Sequence, residues 1–219
     1  MNFIRYPKLS NSKLKSMSTN LKQLIALLVT VFALGLLYTS AYLPYAKSSL
    51  YIAAMQGAGG ATTLEDFLKP YDTAFNFWSP VGQPEMIRFF ANNVLSFLTD
   101  QKQSLPEPIA TALVNYTVDR IDADTLGNKG LNYTQLVLLE ASILSSYGEK
   151  YNKPDALQKA EDLYKEGENL SPRRPQFLYG LFSLYAYENK PNEARPIGEE
   201  ILKYWPQDTT VSNALANLK

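Results

Sequence analysis

Tyr179, Ser183 and Tyr187 recur at i, i+4 and i+8, so a helix would hold two phenol rings and a hydroxyl in one stripe. Such a stripe can grip an extended peptide or stack on sugar rings, because tyrosine combines apolar area with a polar tip. The plainer reading is that the rings pack on neighbours and leave their hydroxyls to solvent. Other chemistry is tightly bounded. The 219 residues include no cysteine and no histidine, which removes disulfides, thiol nucleophiles, imidazole bases and thiolate- or histidine-bound zinc and iron. With no convincing nucleophile arrangement left, the chain is expected to be a binding protein rather than an enzyme, without cofactor, catalytic residue or metal.

The remaining polar clusters have simple readings. Asp119, Asp122 and Asp124 are the densest carboxylates, and Asp122-Ala123-Asp124 resembles the Asp-x-Asp of metal-dependent glycosyltransferases. A calcium loop would also begin this way and carry glycine sixth, as Gly127 does, but Leu126 blocks its third ligand and Tyr133 replaces the closing glutamate. A solvated loop over 122–130 is therefore expected. Arg173 and Arg174 follow Pro172 and could meet a phosphate, yet the region around them is acidic, and nucleic-acid binders need a broad basic face. No nucleic acid is expected. The glycine-rich stretch 57–63 lacks the Gly-Lys-Ser/Thr ending of a phosphate loop and reads as a turn between helices. Asn115, Asn132 and Asn169 each begin an Asn-x-Ser/Thr triplet, which matters only in a glycosylating host.

Charge patterning supplies the first large element. Arg5, Lys8, Lys13, Lys15 and Lys22 give the first 22 residues +5 with no acid, so in a chain of net charge zero the rest carries −5. No residue between Lys22 and Lys47 is charged. The run LIALLVTVFALGLLYTSAYL is long enough to cross a hydrocarbon core of about 30 Å as a helix. Tyr38, Tyr42 and Tyr45 then fall where an interfacial aromatic belt belongs. The positive-inside rule predicts a cytoplasmic tail over 1–21, a transmembrane helix over 22–44 and everything later outside the cytoplasm. A signal peptide cleaved after Ala41 competes, but both the leader and the apolar run exceed its usual lengths.

After Pro44 the apolar spacing is helical and nothing alternates with a period of two, so the fold class is all-α. Thr63 is placed to cap a helix whose first turn holds Glu65 and Asp66. Further helices are expected over 84–100 and 107–121, over 133–151 with Asn132 as cap, and from Asp208 onward. The last of these would present Val211, Leu215 and Leu218 inward and Ser212, Asn213 and Asn217 to water.

Residues 141–172 also reappear, in type, 34 positions later. Leu144 falls on Leu178, Tyr147 on Leu181, Tyr151 on Tyr185, Ala160 on Ala194, Leu163 on Ile197 and Pro172 on Pro206. This period and these positions resemble the tetratricopeptide (TPR) repeat, in which paired helices stack into a solenoid. Phe182 in the small slot and Gly198 in the aromatic slot depart from the pattern. Phe67, Tyr71 and Ala74 carry the second-helix spacing of the same repeat, so 45–131 reads as degenerate repeats and 132–219 as two repeats with a capping helix. The resemblance implies a partner-binding wall built from first helices: Ser142, Ser145, Glu149 and Asn152 in one repeat, and Gln176, Tyr179, Ser183 and Tyr187 in the next.

The order of membrane helix, LEDFLKPYDTAFNF, GQPEMIRFF and NLSPRRPQFLYGLFSLYAYENKPNEA further resembles the extracytoplasmic C-terminal region of bacterial O-antigen ligase or polymerase-type membrane proteins. That likeness implies an accessory role in surface polysaccharide assembly beside a polysaccharide-assembly membrane protein, as the alternative to a general envelope scaffold for a protein or peptide partner.

Overall fold

The computed structural model describes residues 18–100, 105–125 and 131–218. Arg5, Lys8, Lys13 and Lys15 of the expected tail, together with Gly127, lie outside the described residues. Among the described residues every regular element is a helix.

Helix α1 (Thr19–Leu37) is capped by Ser18 and passes through a wide π-helical turn at Tyr38–Tyr42 into α2 (Leu43–Gly57), which closes with a 3-10 turn at Ala58–Gly60. These 42 residues span about 60 Å at 1.5 Å per residue. Pro44 accounts for the wide turn. Its ring offers no N–H to the Ser40 carbonyl and would clash with it, so the ladder widens and the Leu43 N–H bonds to Tyr38 O. The hydroxyls of Thr39 and Ser40 donate back to the Gly35 and Leu36 carbonyls at 3.0 and 2.6 Å, satisfying themselves within the helix. No residue of α1 or the wide turn is buried. The helix is long and apolar enough to cross a membrane.

The later helices pair by short connections. Helix α3 (Leu64–Asn76) packs on α2, α4 (Gln83–Thr99) on α5 (Glu107–Thr125), α6 (Leu131–Tyr151) on α7 (Pro154–Leu170) and α8 (Pro175–Tyr187) on α9 (Pro191–Tyr204), and α10 (Thr209–Asn217) packs on α9. Between pairs, α5 meets α6 and α7 meets α8, while α4 lies beside α6 and α6 beside α8. The first helices of the last three pairs, α4, α6 and α8, therefore adjoin. One core runs through all the pairs, and an aromatic knot anchors its first half: the Phe90 ring lies 4.9, 5.7 and 5.6 Å from the rings of Tyr71, Phe75 and Tyr116.

Side-chain caps open some helices and a proline in the first turn opens others, and two expectations about helix bounds are corrected. Thr63 accepts the Asp66 N–H at 3.1 Å, and Asp208 accepts those of Thr210 and Val211 at 2.9 and 3.0 Å. Helix α6 begins at Leu131, which places Asn132 in its first turn and not at the cap. Helix α5 runs to Thr125, so Asp122 and Asp124 are helical where a loop was expected.

The two hairpin turns share the text Asn-Lys-Pro. Asn152 and Asn189 take left-handed φ values of 52° and 55°, the N–H groups of Lys153 and Lys190 bond to Gly148 O and Tyr185 O at 2.9 Å, and Pro154 and Pro191 open the next helices. This is the helix-stop geometry in which asparagine substitutes for glycine. These turns are 37 residues apart (189 − 152), whereas Ser171 and Trp205, which end α7 and α9, keep the 34-residue period (205 − 171). Helix α9 is accordingly shorter than α7, at 14 residues against 17. Three residues are close to one helical turn of 3.6, so the apolar face returns to register while the turn slips.

Large and small side chains interlock across the pairs. A β-carbon on Gly198 would lie 2.8 Å from the Phe182 ring, so the two departures from the repeat pattern fill each other's space. Between α7 and α8, a methyl on Gly167 would overlap the Phe177 ring and one on Gly180 the Tyr164 ring.

Candidate functional site

The wall expected from the sequence rests on α6 and α8, which the structure places side by side. Its two halves join near the hairpin turns. The Tyr187 hydroxyl donates to the Glu149 backbone carbonyl at 3.1 Å, and the Ser145 hydroxyl donates to the Glu149 carboxylate at 2.9 Å. Ser145 is buried, 7% exposed, so it positions Glu149 and offers no open surface of its own. Ser142 accepts the Tyr164 hydroxyl at 3.3 Å and donates to Leu138 O at 2.8 Å. Asn152 is exposed, and its place in the turn is fixed by its left-handed backbone.

The three residues of the stripe separate in role. Ser183 and Tyr187 are exposed, the latter at 49%. Tyr179 is half-buried; its ring centroid lies 6.0 Å from that of Trp205, and its hydroxyl donates to Asp208 Oδ2. That hydrogen bond is the main reason the Tyr179 hydroxyl is pushed up to about 12 and the Asp208 carboxyl is held below its ordinary range. Because Asp208 Oδ1 caps α10, Tyr179 braces the last helix against α8. Gln176 is exposed in the first turn of α8. The Asp208 cap has a signal in the Asp-Thr-Thr text, but its tyrosine partner stands 29 residues back and has none.

A recess of about 360 Å³ adjoins Glu149, lined by Leu98, Thr99, Asp100, Ser146 and Lys150. The Lys150 ammonium donates to the Leu98 and Asp100 carbonyls at 2.9 and 3.2 Å, favourable at the negative end of α4. The surface beside Tyr187 thus continues from α8 over α6 to α4.

The other clusters are structural in placement. Asp122 and Asp124 are two apart on a helix and point about 200° away from each other, so they do not converge on one ion. Asp122 lies 3.8 Å from the Lys159 ammonium, and burial pushes the Asp124 carboxyl up. Arg174 turns back onto the protein, donating to Thr134 Oγ1 at 3.2 Å with its guanidinium 5.6 Å from the Phe177 ring centre, while Arg173 is exposed. The two arginines therefore differ in their partners, although both line one recess with Thr134.

A buried carboxylate ties the second half together. Glu161, 8% exposed, accepts Lys165 at 2.6 Å, the Tyr185 hydroxyl at 3.0 Å and Lys190 at 3.4 Å, joining α7, α8 and the turn before α9. Burial opposes its ionisation, but these donors and their charges outweigh it and hold the carboxyl below the ordinary glutamate range. Comparison with protein-family models, with curated proteins and with solved structures gives no match.

Proposed function

We propose that this chain is a membrane-anchored, extracytoplasmic scaffold whose TPR-like helix pairs bind an extended segment of an envelope protein. One observation supports the reading most directly: the first helices α4, α6 and α8 adjoin in order, with the half-exposed Tyr187 on α8 bonded to Glu149 on α6 and Ser183 exposed one turn before it. An extended peptide meets there an aromatic ring, hydroxyls and a carboxylate, the mixture by which aromatic anchors hold a partner at small entropic cost.

The test is position-specific photocrosslinking in intact cells. A crosslinker at Ser183 should capture a discrete envelope protein that one at Asp162, exposed on α7, does not. Tyr187→Ala should abolish that capture and leave the helical circular dichroism signal unchanged, whereas Tyr179→Ala should loosen α10 as well. Equal capture from both positions, or none from Ser183, would remove the wall as the binding surface.

A further inference from the structure

The bare helix and the folded domain meet at one residue. Nothing from Ser18 to Tyr42 is buried, and the first buried side chains are Leu43 and, one turn on, Lys47, at 5% and 3% exposure. Tyr38, Tyr42 and Tyr45, exposed at 54, 56 and 72%, lie within two turns of that point, with the Tyr38 and Tyr42 rings stacked 5.3 Å apart on one side of the helix. The domain therefore has no stalk. If the apolar run occupies a bilayer, the base of the domain stands at the headgroup layer.

Lys47 identifies what forms the base. Its ammonium donates to the Phe75 and Phe77 carbonyls at 3.3 and 2.5 Å, so the end of α3 is held beside the first turns of α2, where the apolar helix meets the domain. The turn that follows projects Trp78 and Val81 outward, 67 and 59% exposed. It is a built turn: the Ser79 hydroxyl donates to Val81 O at 2.8 Å, and Gly82 closes it at φ 97°. From Asp72 to Glu85 the sequence carries no intervening charge. An indole and a valine held outward on an uncharged turn beside the start of the folded domain match the lipid interface, where amphipathic rings concentrate.

We propose that the 77–81 turn is a second membrane contact, with Trp78 and Val81 seated in the headgroup layer of the bilayer that the N-terminal helix enters. This rests on the reading of that helix as a membrane span. The turn fixes the tilt of the domain on the membrane, so the α4–α6–α8 side faces a set direction.

The experiment uses the full chain in phospholipid vesicles with and without brominated phosphatidylcholine. The protein has two tryptophans, so the emission difference between wild type and Trp78→Phe isolates Trp78. Because the chain has no cysteine, an environment-sensitive fluorophore on Ala33→Cys independently reports the span. Bromine-dependent loss of the Trp78 emission, with shielding from aqueous acrylamide, is the expected result. A lipid-buried probe at residue 33 with Trp78 unquenched overturns the proposal and leaves the span standing. A water-exposed probe at residue 33 overturns the span, and the proposal with it.

Discussion

Glu161 shows how one side chain can couple two helices and the turn that leads to a third. Its charged form is favoured in the folded state by Lys165, Tyr185 and Lys190, so its folded pKa is depressed. A depressed acid contributes stability that is complete above its unfolded pKa and is lost as pH falls through the folded value. Glu161→Gln should cost about 1–2 kcal/mol at neutral pH, the lower part of the range for hydrogen bonds to a charged group, since both lysines are well exposed. The gap in melting temperature between wild type and variant should narrow on acidification below the ordinary glutamate range. A gap that stays constant into acid would mean the carboxylate charge plays no part. Glu140 should behave oppositely, because burial pushes its carboxyl up and its partner Lys159, at 2.9 Å, offsets this only in part.

At the scale of elements, close approach between helices is bought with small residues. Ala160 and Ala194 are both fully buried, at 0% exposure, and replacing either with leucine should cost about 1–3 kcal/mol through overpacking. Gly167→Ala tests the α7–α8 contact more narrowly. Phe177, also 0% exposed, has no room to retreat from a new methyl, so a loss of about 1–3 kcal/mol is expected in denaturant titrations. Unchanged midpoints in all three variants would show that the helices can separate freely at these positions. The Phe182–Gly198 exchange follows the same rule, with bulk moved from α9 to α8 and the shared volume kept.

For the whole molecule, the decisive relation is between the apolar helix and the domain it enters. The proposal that residues 45–219 lie outside the cytoplasm predicts that alkaline carbonate leaves the chain in the membrane pellet and that protease added to spheroplasts trims it. Release as a soluble species beginning near Tyr42 would instead establish a cleaved leader. The same arrangement explains the buried Lys47. Its burial lowers the ammonium pKa, with Asp124 opposing the shift, and the carbonyls of Phe75 and Phe77 replace part of its lost hydration.

Apolar spacing determined the all-α class and most helix bounds, and the charge-free apolar run determined the N-terminal helix, because each depends on neighbours within a few turns. Local caps were legible for the same reason, as at Thr63. Tertiary structure alone decided the rest. The hairpin turn slipped by three residues at Asn189 without disturbing the buried face, since a helix nearly repeats itself every 3.6 residues and an apolar pattern cannot register the shift. The stripe of Tyr179, Ser183 and Tyr187 was visible, but its division was not: Tyr179 found Asp208 and Tyr187 found the Glu149 carbonyl, partners 29 and 38 residues away. Likewise the Lys47 ammonium meets the Phe75 and Phe77 carbonyls, 28 and 30 residues away, which no local pattern announces. Periodicity fixes which face of a helix is apolar, and only packing fixes which distant group each polar tip meets.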